Sequence, residues 1–475
     1  MAIETLSTLP GLTAERIEQV ARSLGEPAWH LQRRLEAFER FLQLPIPSPK
    51  QEDWRYTDIT TLHLEDYPAV AWQDAPLDKP SERIPPFLVE QPAMRVVHRA
   101  GFGFEAQVPE AWRQRGVQVR DLREVLLQEP ERLQEVLGRL APIPGDKFSW
   151  LHTAAWDSGL YIYIPRNVAL EGTIEVLHWF EVPGAHFPHT LIVAEEGSSA
   201  NIVQSFCSPE GVPVLCVGAV EVFCNANSEL RHALVQRMGR NALFLTSVDY
   251  LQRRDSRVVS LAVGLGGKLA RTVLQHLMEG QGAEARPLGV FFGDEAQHLD
   301  FRTLQDHRVG YTTSDLLYKG VLTDEAQSVF SGLIRVYQGA QHTDAYQANR
   351  NLLLSDQARA HSIPNLEIGA NEVRCTHGAT VGPVQPDELF YLRSRGLDPA
   401  TAEAVIVMGF FEQVLREVKP IDLRLSIQRL LASKLKGDAP RYFMDLADPS
   451  ELSDLSDRSD ALDEVNPYVA SRDSG

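Results

Sequence analysis

The chain of 475 residues is long enough for more than one structural unit, and its 44% hydrophobic and 23% charged content suits a substantial buried core. A formal net charge of −18, from 64 Asp+Glu against 46 Lys+Arg, speaks against a duplex nucleic-acid binder or a protein held on anionic lipid, since both need clustered cations. A count of 4 cysteines excludes a disulfide scaffold. The opening Met1-Ala2-Ile3-Glu4-Thr5 has neither the basic nor the apolar part of a secretory signal, and the best apolar run, residues 404–411, is too short to span a bilayer. These features read as an acidic cytoplasmic protein of several parts, with no nucleic-acid or membrane partner.

Taken in chain order, residues 13–23 place Ile17, Val20 and Ala21 at helical spacing, with Gly25 as the stop. A second helix opens at Pro27; Leu31, Leu35, Phe38 and Leu42 recur at three and four until Pro45, Pro47 and Pro49 end it. Residues 121–140 read as another helix, with Leu122, Val125, Leu126, Leu133, Val136 and Leu137 on one face. From about Leu160 the period changes. Leu160-Tyr161-Ile162-Tyr163-Ile164 and the stretches 173–179 and 190–194 are rich in β-branched and aromatic residues, and this character persists to about Val381. Turn-like clusters recur through it: Gly197-Ser198-Ser199, Asn225-Ala226-Asn227-Ser228, Arg254-Asp255-Ser256, Gly280-Gln281-Gly282, Asp324-Glu325 and Asp356-Gln357. Most intervals are roughly 26–32 residues, which suits stacked coils of a β-solenoid better than a sandwich, whose turns come closer together. After Gly382 the helical period returns over 386–395, 402–418 and 422–435, punctuated by Gly396, Asp398-Pro399 and Pro420. From Gly437 the composition turns acidic and polar and reads as a mostly disordered tail.

Few motifs carry chemistry. Gly264-Leu265-Gly266-Gly267-Lys268-Leu269 fails as a phosphate loop, because Ala262 stands where the first glycine belongs and Leu269 replaces the magnesium-binding hydroxyl; it reads as a turn between strands. No nucleophile elbow and no zinc spacing occur. His186-Phe187-Pro188-His189 has a ligand-like spacing, but a strand would aim the two imidazoles to opposite faces, and a loop with two ordinary histidines is the expectation. Cys207, Cys216 and Cys224 sit in apolar strand segments as core residues. Cys375 differs. In Arg374-Cys375-Thr376-His377 a strand would send Cys375 and His377 to one face, and thiolate with imidazole suits iron, zinc and iron–sulfur sites. Two ligands cannot close a four-coordinate site, so others would come from a partner or a small ligand. On spacing alone, a packed cysteine beside a hydrogen-bonded histidine is the competing reading.

Asn351-Leu352-Leu353-Leu354-Ser355-Asp356, Pro364-Asn365-Leu366-Glu367-Ile368, Cys375-Thr376-His377-Gly378-Ala379-Thr380-Val381-Gly382 and Leu389-Phe390-Tyr391-Leu392-Arg393-Ser394-Arg395-Gly396 together closely resemble the SufB/SufD family of iron–sulfur cluster assembly proteins. Trp54-Arg55-Tyr56-Thr57 and the segments Phe148-Ser149-Trp150-Leu151 and Tyr161-Ile162-Tyr163-Ile164-Pro165 are similar to the same family, over roughly residues 30–435. The Cys-Thr-His-Gly-Ala-Thr form resembles SufD, where SufB carries Glu-His-Glu-Ala-Thr. The resemblance implies a mainly β protein: a right-handed parallel β-helix core (151–382) between a mostly helical N-terminal region (1–150) and a C-terminal helical domain (383–436), before the acidic tail (437–475). It further implies a non-catalytic scaffold subunit that pairs with a SufB-like chain through the β-helix edge, or with itself when isolated. A SufC-like ATPase would dock on 383–436, and ATPase activity would belong to that partner alone. His377 matches the SufD histidine placed at the subunit interface as a metal ligand for a transient iron–sulfur cluster; Cys375 matches a recurrent cysteine whose role the resemblance leaves open. No cofactor is expected to stay on the isolated chain, and reduced flavin remains an open component of the complex. The competing identities are the SufB paralogue and a carbohydrate-active β-helix lyase or hydrolase, which would need carboxylates set in a groove.

Overall fold

The computed structural model describes residues 9–70, 84–141 and 143–436; the acidic tail expected from Gly437 lies outside them. Its core is a parallel β-solenoid of about 8 turns, with helices at both chain ends. Strands alternate between two ten-stranded sheets. The first sheet runs from Gly103–Ala106 and Met94–Arg99 to Arg374–Pro383, and the second from Gln118–Asp121 and Ser158–Ile164 to Arg359–Ile368. Almost every pairing is parallel and in unbroken register, as in Leu243–Gln252 on Leu269–Met278. The three strands before residue 122 belong to the stretch read as mostly helical, yet they join both sheets.

One corner holds the coils in step. Asn167, Gly197, Asn227, Asp255, Gly282, Tyr311 and His342 all adopt left-handed backbone, with φ between 55° and 73°, and successive members lie 27 to 31 residues apart. Each donates its N–H to a carbonyl of the next coil, from Asn167 on Glu196 (2.9 Å) to His342 on Glu372 (2.6 Å). Asn, Asp and Gly tolerate this conformation best, and the polar clusters at 197–199, 225–228, 254–256 and 280–282 each hold a corner residue, whereas Asp324-Glu325 and Asp356-Gln357 lie away from this corner.

The lumen is packed with apolar side chains, including the stacked pair Phe291 and Phe301 (4.9 Å between centroids). Through its first coils runs a hydrogen-bonded polar chain. His98 shares a bond with His178 (3.0 Å), Gln204 donates to His178 (3.2 Å) and Thr190 (3.0 Å), and His232 bonds Gln204 (2.9 Å) and Tyr250 (2.6 Å). Burial holds these imidazoles far below their ordinary range, to about 3 for His232, so they are neutral.

Helices cover both outer faces. Ala14–Leu24 is capped by the Thr13 side chain on Arg16 N (3.1 Å) and stopped at Gly25, and Ala28–Gln43 follows Pro27. The single helix expected over 121–140 is two, Leu122–Gln128 and Pro130–Gln134, because Pro130 has no N–H to continue the ladder and Glu129 before it leaves the helical region (φ −134°). With Lys147–Ala155 these helices pack on the second sheet. Pro399–Leu415 and Ile421–Ala432 cover the first. There Lys319 Nζ donates to Phe410 O (2.7 Å) and Arg286 pairs with Glu417 (2.7 Å). The segment Gly264 to Leu269 is a turn between strands, with Gly266 so close to Met238 that a Cβ would lie 2.0 Å from its carbonyl oxygen.

Candidate functional site

The solenoid ends on Arg359–Ile368 and Arg374–Pro383, the last strand of each sheet. Each pairs on one side only, with Gln327–Val336 and Asp344–Leu353 respectively, so one backbone edge of each is open among the described residues. Such an edge is a template for strand addition. Apolar side chains stand exposed around it: Leu366, Ile368 and Val381, with Phe390 (74% exposed) and Tyr391 on the following helix Pro386–Ser394, none of whose residues is buried.

Both expected site residues lie on this coil. Cys375 is in register with Ala345 and His377 with Gln347, two of the most buried residues of the preceding strand, so both side chains project on the lumen side at its open mouth. Cys375 is half-buried against Ile334, Val336, Ala340, Ala345 and Ala370. Burial, with the Asp344 carboxylate adding, pushes its thiol above the ordinary range. Arg374 does not counter this, because its guanidinium is engaged by Asp344 (Nε on Oδ1 3.0 Å). His377 is exposed. No group of three or more His, Cys, Asp and Glu that could hold a metal occurs among the described residues, so a site here needs ligands from elsewhere.

The remaining sequence candidates separate cleanly. His186 and His189 are not on a loop; they lie on the strands Gly184–His186 and Pro188–Ala194, broken at Phe187, and both are buried. Their faces are opposite, as strand alternation requires: His186 is in register with Cys216 of the lumen core, whereas His189 lies beside Trp156 under the N-terminal helices. Cys207, Cys216 and Cys224 are buried, and burial raises all three thiols, Cys224 to about 12. They are inert at neutral pH.

Two features escaped the sequence reading. Beneath the mouth lies a row of buried amides, Gln347, Asn349 and Asn351, alternating along Asp344–Leu353. That alternation of amides along one strand was the available signal. The other is the docking of Trp54-Arg55-Tyr56-Thr57. Trp54 lies under the Arg271 guanidinium (4.1 Å), Thr57 donates to Asp300 (2.7 Å), and Tyr56 stacks on His361 of the terminal coil (4.2 Å).

Fold and site define a parallel β-solenoid whose last coil has an open backbone edge and an exposed apolar rim among the described residues. In comparison with known proteins, residues 180–410 match the family described as SUF system FeS cluster assembly, SufBD core domain, and residues 25–176 match the SufBD protein N-terminal region. An iron–sulfur cluster assembly SufBD family protein of Synechocystis sp. is 28% identical over 436 residues, covering 88% of this chain and 94% of the relative. One of Staphylococcus saprophyticus is 24% identical over 439 residues, covering 90% and 94%. The chain belongs to the SufBD family of iron–sulfur cluster assembly proteins. No helix among its described residues is long and apolar enough to cross a membrane.

Proposed function

We propose that the chain is the SufD-type subunit of a cytoplasmic cluster-assembly complex, a scaffold without catalytic activity of its own. In this reading the terminal coil pairs with a SufB-like chain, and a nascent cluster is assembled as cargo at the junction. His377 faces that cargo as a ligand, Cys375 stands beside it, and the remaining ligands come from the partner. The observation that carries the reading is the placement of His377: exposed, on the last strand of an open sheet edge, within an apolar rim. The Cys375-Thr376-His377-Gly378-Ala379-Thr380 word, in SufD rather than SufB form, favours SufD.

A SufC-like ATPase would dock on 383–436. Support comes from the path between that region and the junction: Pro386–Ser394 follows the terminal strand directly, and Pro399–Leu415 is held on the first sheet by Lys319. Rigid movement of the docked ATPases would then shift the terminal coils against each other.

Replacing His377 by Ala is expected to leave the fold intact and to lower cluster assembly in cells by about tenfold or more. Assembly at the wild-type rate would remove His377 from the site. Co-purification of a SufB-like chain and a SufC-like ATPase tests the partners, and a homodimer in their place would contradict the pairing. Anaerobic reconstitution with iron and sulfide separates the paralogues: a cluster held stably by the isolated chain would favour SufB, and a reduced flavin would appear only with the complex.

A further inference from the structure

Ion pairs climb the outside of the solenoid from coil to coil and end at its open edge. On the second sheet the series is Arg253 with Glu279 (2.7 Å), Glu279 with Arg308 (2.6 Å), Arg308 with Asp306 (2.7 Å), Asp306 with Arg335 (3.9 Å) and Arg335 with Glu367 (2.7 Å). The sign alternates at every step, so Glu279 and Asp306 each lie between two guanidiniums. Asp306, Arg335 and Glu367 are in register on successive strands of the sheet. Arg335 points outward, because Ile334 and Val336 on either side of it are buried in the core. The series stops at Glu367 on the last strand, with its side chain 58% exposed.

The first sheet carries a second column. Glu229, Arg257, Glu284, Thr313, Asp344 and Arg374 are in register on successive strands. Arg257 pairs with Glu284 (3.3 Å), and Arg374 Nε donates to Asp344 Oδ1 (3.0 Å). Like charges directly opposite on neighbouring strands repel, and Thr313 keeps the carboxylates of Glu284 and Asp344 apart. This column ends on the other sign, at Arg374, whose side chain is 79% exposed. Both ends lie at one corner, on the two strands that flank residues 369–373.

An open backbone edge accepts any extended chain, so the edge alone does not choose its partner. A strand added at the usual spacing of about 4.8 Å sets its own side chains directly against the ends of both columns. We infer that Glu367 and Arg374 select the partner: the chain that completes the last coil brings a cation against Glu367 and an anion against Arg374. This rests on the reading that a SufB-like chain pairs at this edge, and it adds the surface chemistry which that chain carries. A chain that sets a carboxylate on Glu367 or a guanidinium on Arg374 is repelled, which keeps the edge from pairing indiscriminately. Charges at an exposed rim act through the speed of encounter and are screened by salt.

The test titrates the full chain against the SufB-like chain that co-purifies with it, at low and at high salt. Wild-type affinity should fall as salt rises. Glu367→Arg should weaken association at low salt by about tenfold and Glu367→Gln by about threefold, and both losses should shrink at high salt. Glu367→Arg also breaks the pair with Arg335, so a second variant keeps its pair and inverts only the end of the column. Asp344→Arg with Arg374→Asp should leave the thermal midpoint of the isolated chain in place and weaken association by about tenfold at low salt. Wild-type affinity at low salt in Glu367→Arg or in the double variant overturns the inference, and so does a loss of equal size at both salts. Its failure and that of the pairing are told apart by Phe390→Ser, which removes apolar area and no charge. If Phe390→Ser weakens association and the charge variants do not, the junction stands and selection by charge falls. If the chain binds only a second copy of itself, or if Phe390→Ser and the charge variants all bind as the wild type does, the pairing at this edge falls and the inference with it.

Discussion

The middle coils and the last coil are built from the same repeat but finished differently. In the middle, polar side chains in the lumen mostly answer one another: His276 bonds Ser260 (2.9 Å) and Gln252 (2.8 Å), and His307 bonds Thr312 (2.7 Å) and Ser314 (2.8 Å). Both outer faces are covered by helices. At the last coil the rim is apolar and exposed, and the backbone edge is open. A solenoid can stop safely by capping its final turn. Among the described residues this one stops without such a cap, so the residues that pack the coils are separate from those left exposed at the end.

The sharpest way to break that division is in the middle. Phe291 is fully buried, and removing its ring with Phe291→Ala should cost about 3–5 kcal/mol and lower the thermal midpoint accordingly. A loss under about 1 kcal/mol would mean that the lumen is less tightly packed than its contacts imply. The next effect depends on pH. Asp249 is buried, and burial, reinforced by the nearby Glu221 carboxylate and only partly offset by Ser247 and Gln275, raises its pKa from 3.8 to about 8. The folded chain holds this proton more tightly than the unfolded chain, so its contribution to stability is present below about pH 4 and is lost as pH rises toward 8. Asp249→Asn removes the titration. Denaturant unfolding should show little difference at pH 4 and a gain of about 2–3 kcal/mol at pH 8; a gain independent of pH would refute the assignment.

Much of this was legible in the residues. The helix stops at Gly25 and Gly396 and the start at Asp398-Pro399 were readable because glycine and proline act locally. The solenoid was readable from its corner, since a left-handed residue recurring once per coil selects Asn, Asp and Gly. It was only weakly readable because Tyr311 and His342 fill the same corner with side chains that carry no turn signature. Other features needed the third dimension. The strands Met94–Arg99 and Gln118–Asp121 are short and take their character from the sheets they join. Cys375 and His377 could be placed on one face from their spacing, but nothing local distinguishes a final strand from an inner one. Gln347 was invisible as the residue in register with His377 because 30 residues separate positions that the coil stacks together.

Smaller effects sharpen the corner and the edge. Gly282 has φ +73°, and a Cβ there would lie 2.1 Å from Asp255 Oδ1, so Gly282→Ala should lower stability by about 1–2 kcal/mol without unfolding neighbouring coils. An unchanged midpoint would show that the corner tolerates a side chain at this coil.

The smallest effect on stability should carry the largest effect on assembly. Phe390 is 74% exposed on a helix that buries none of its residues, so Phe390→Ser should change the unfolding free energy of the isolated chain by less than about 0.5 kcal/mol. If the end of the solenoid is finished by a partner, the same ring becomes buried apolar area at the junction, and its loss should weaken association by about tenfold or more in a titration of the two chains. The two measurements decide together. Destabilisation of the chain alone would mean that Phe390 serves the fold after all, while unaltered association would move the junction away from this helix and leave the open edge to the strands.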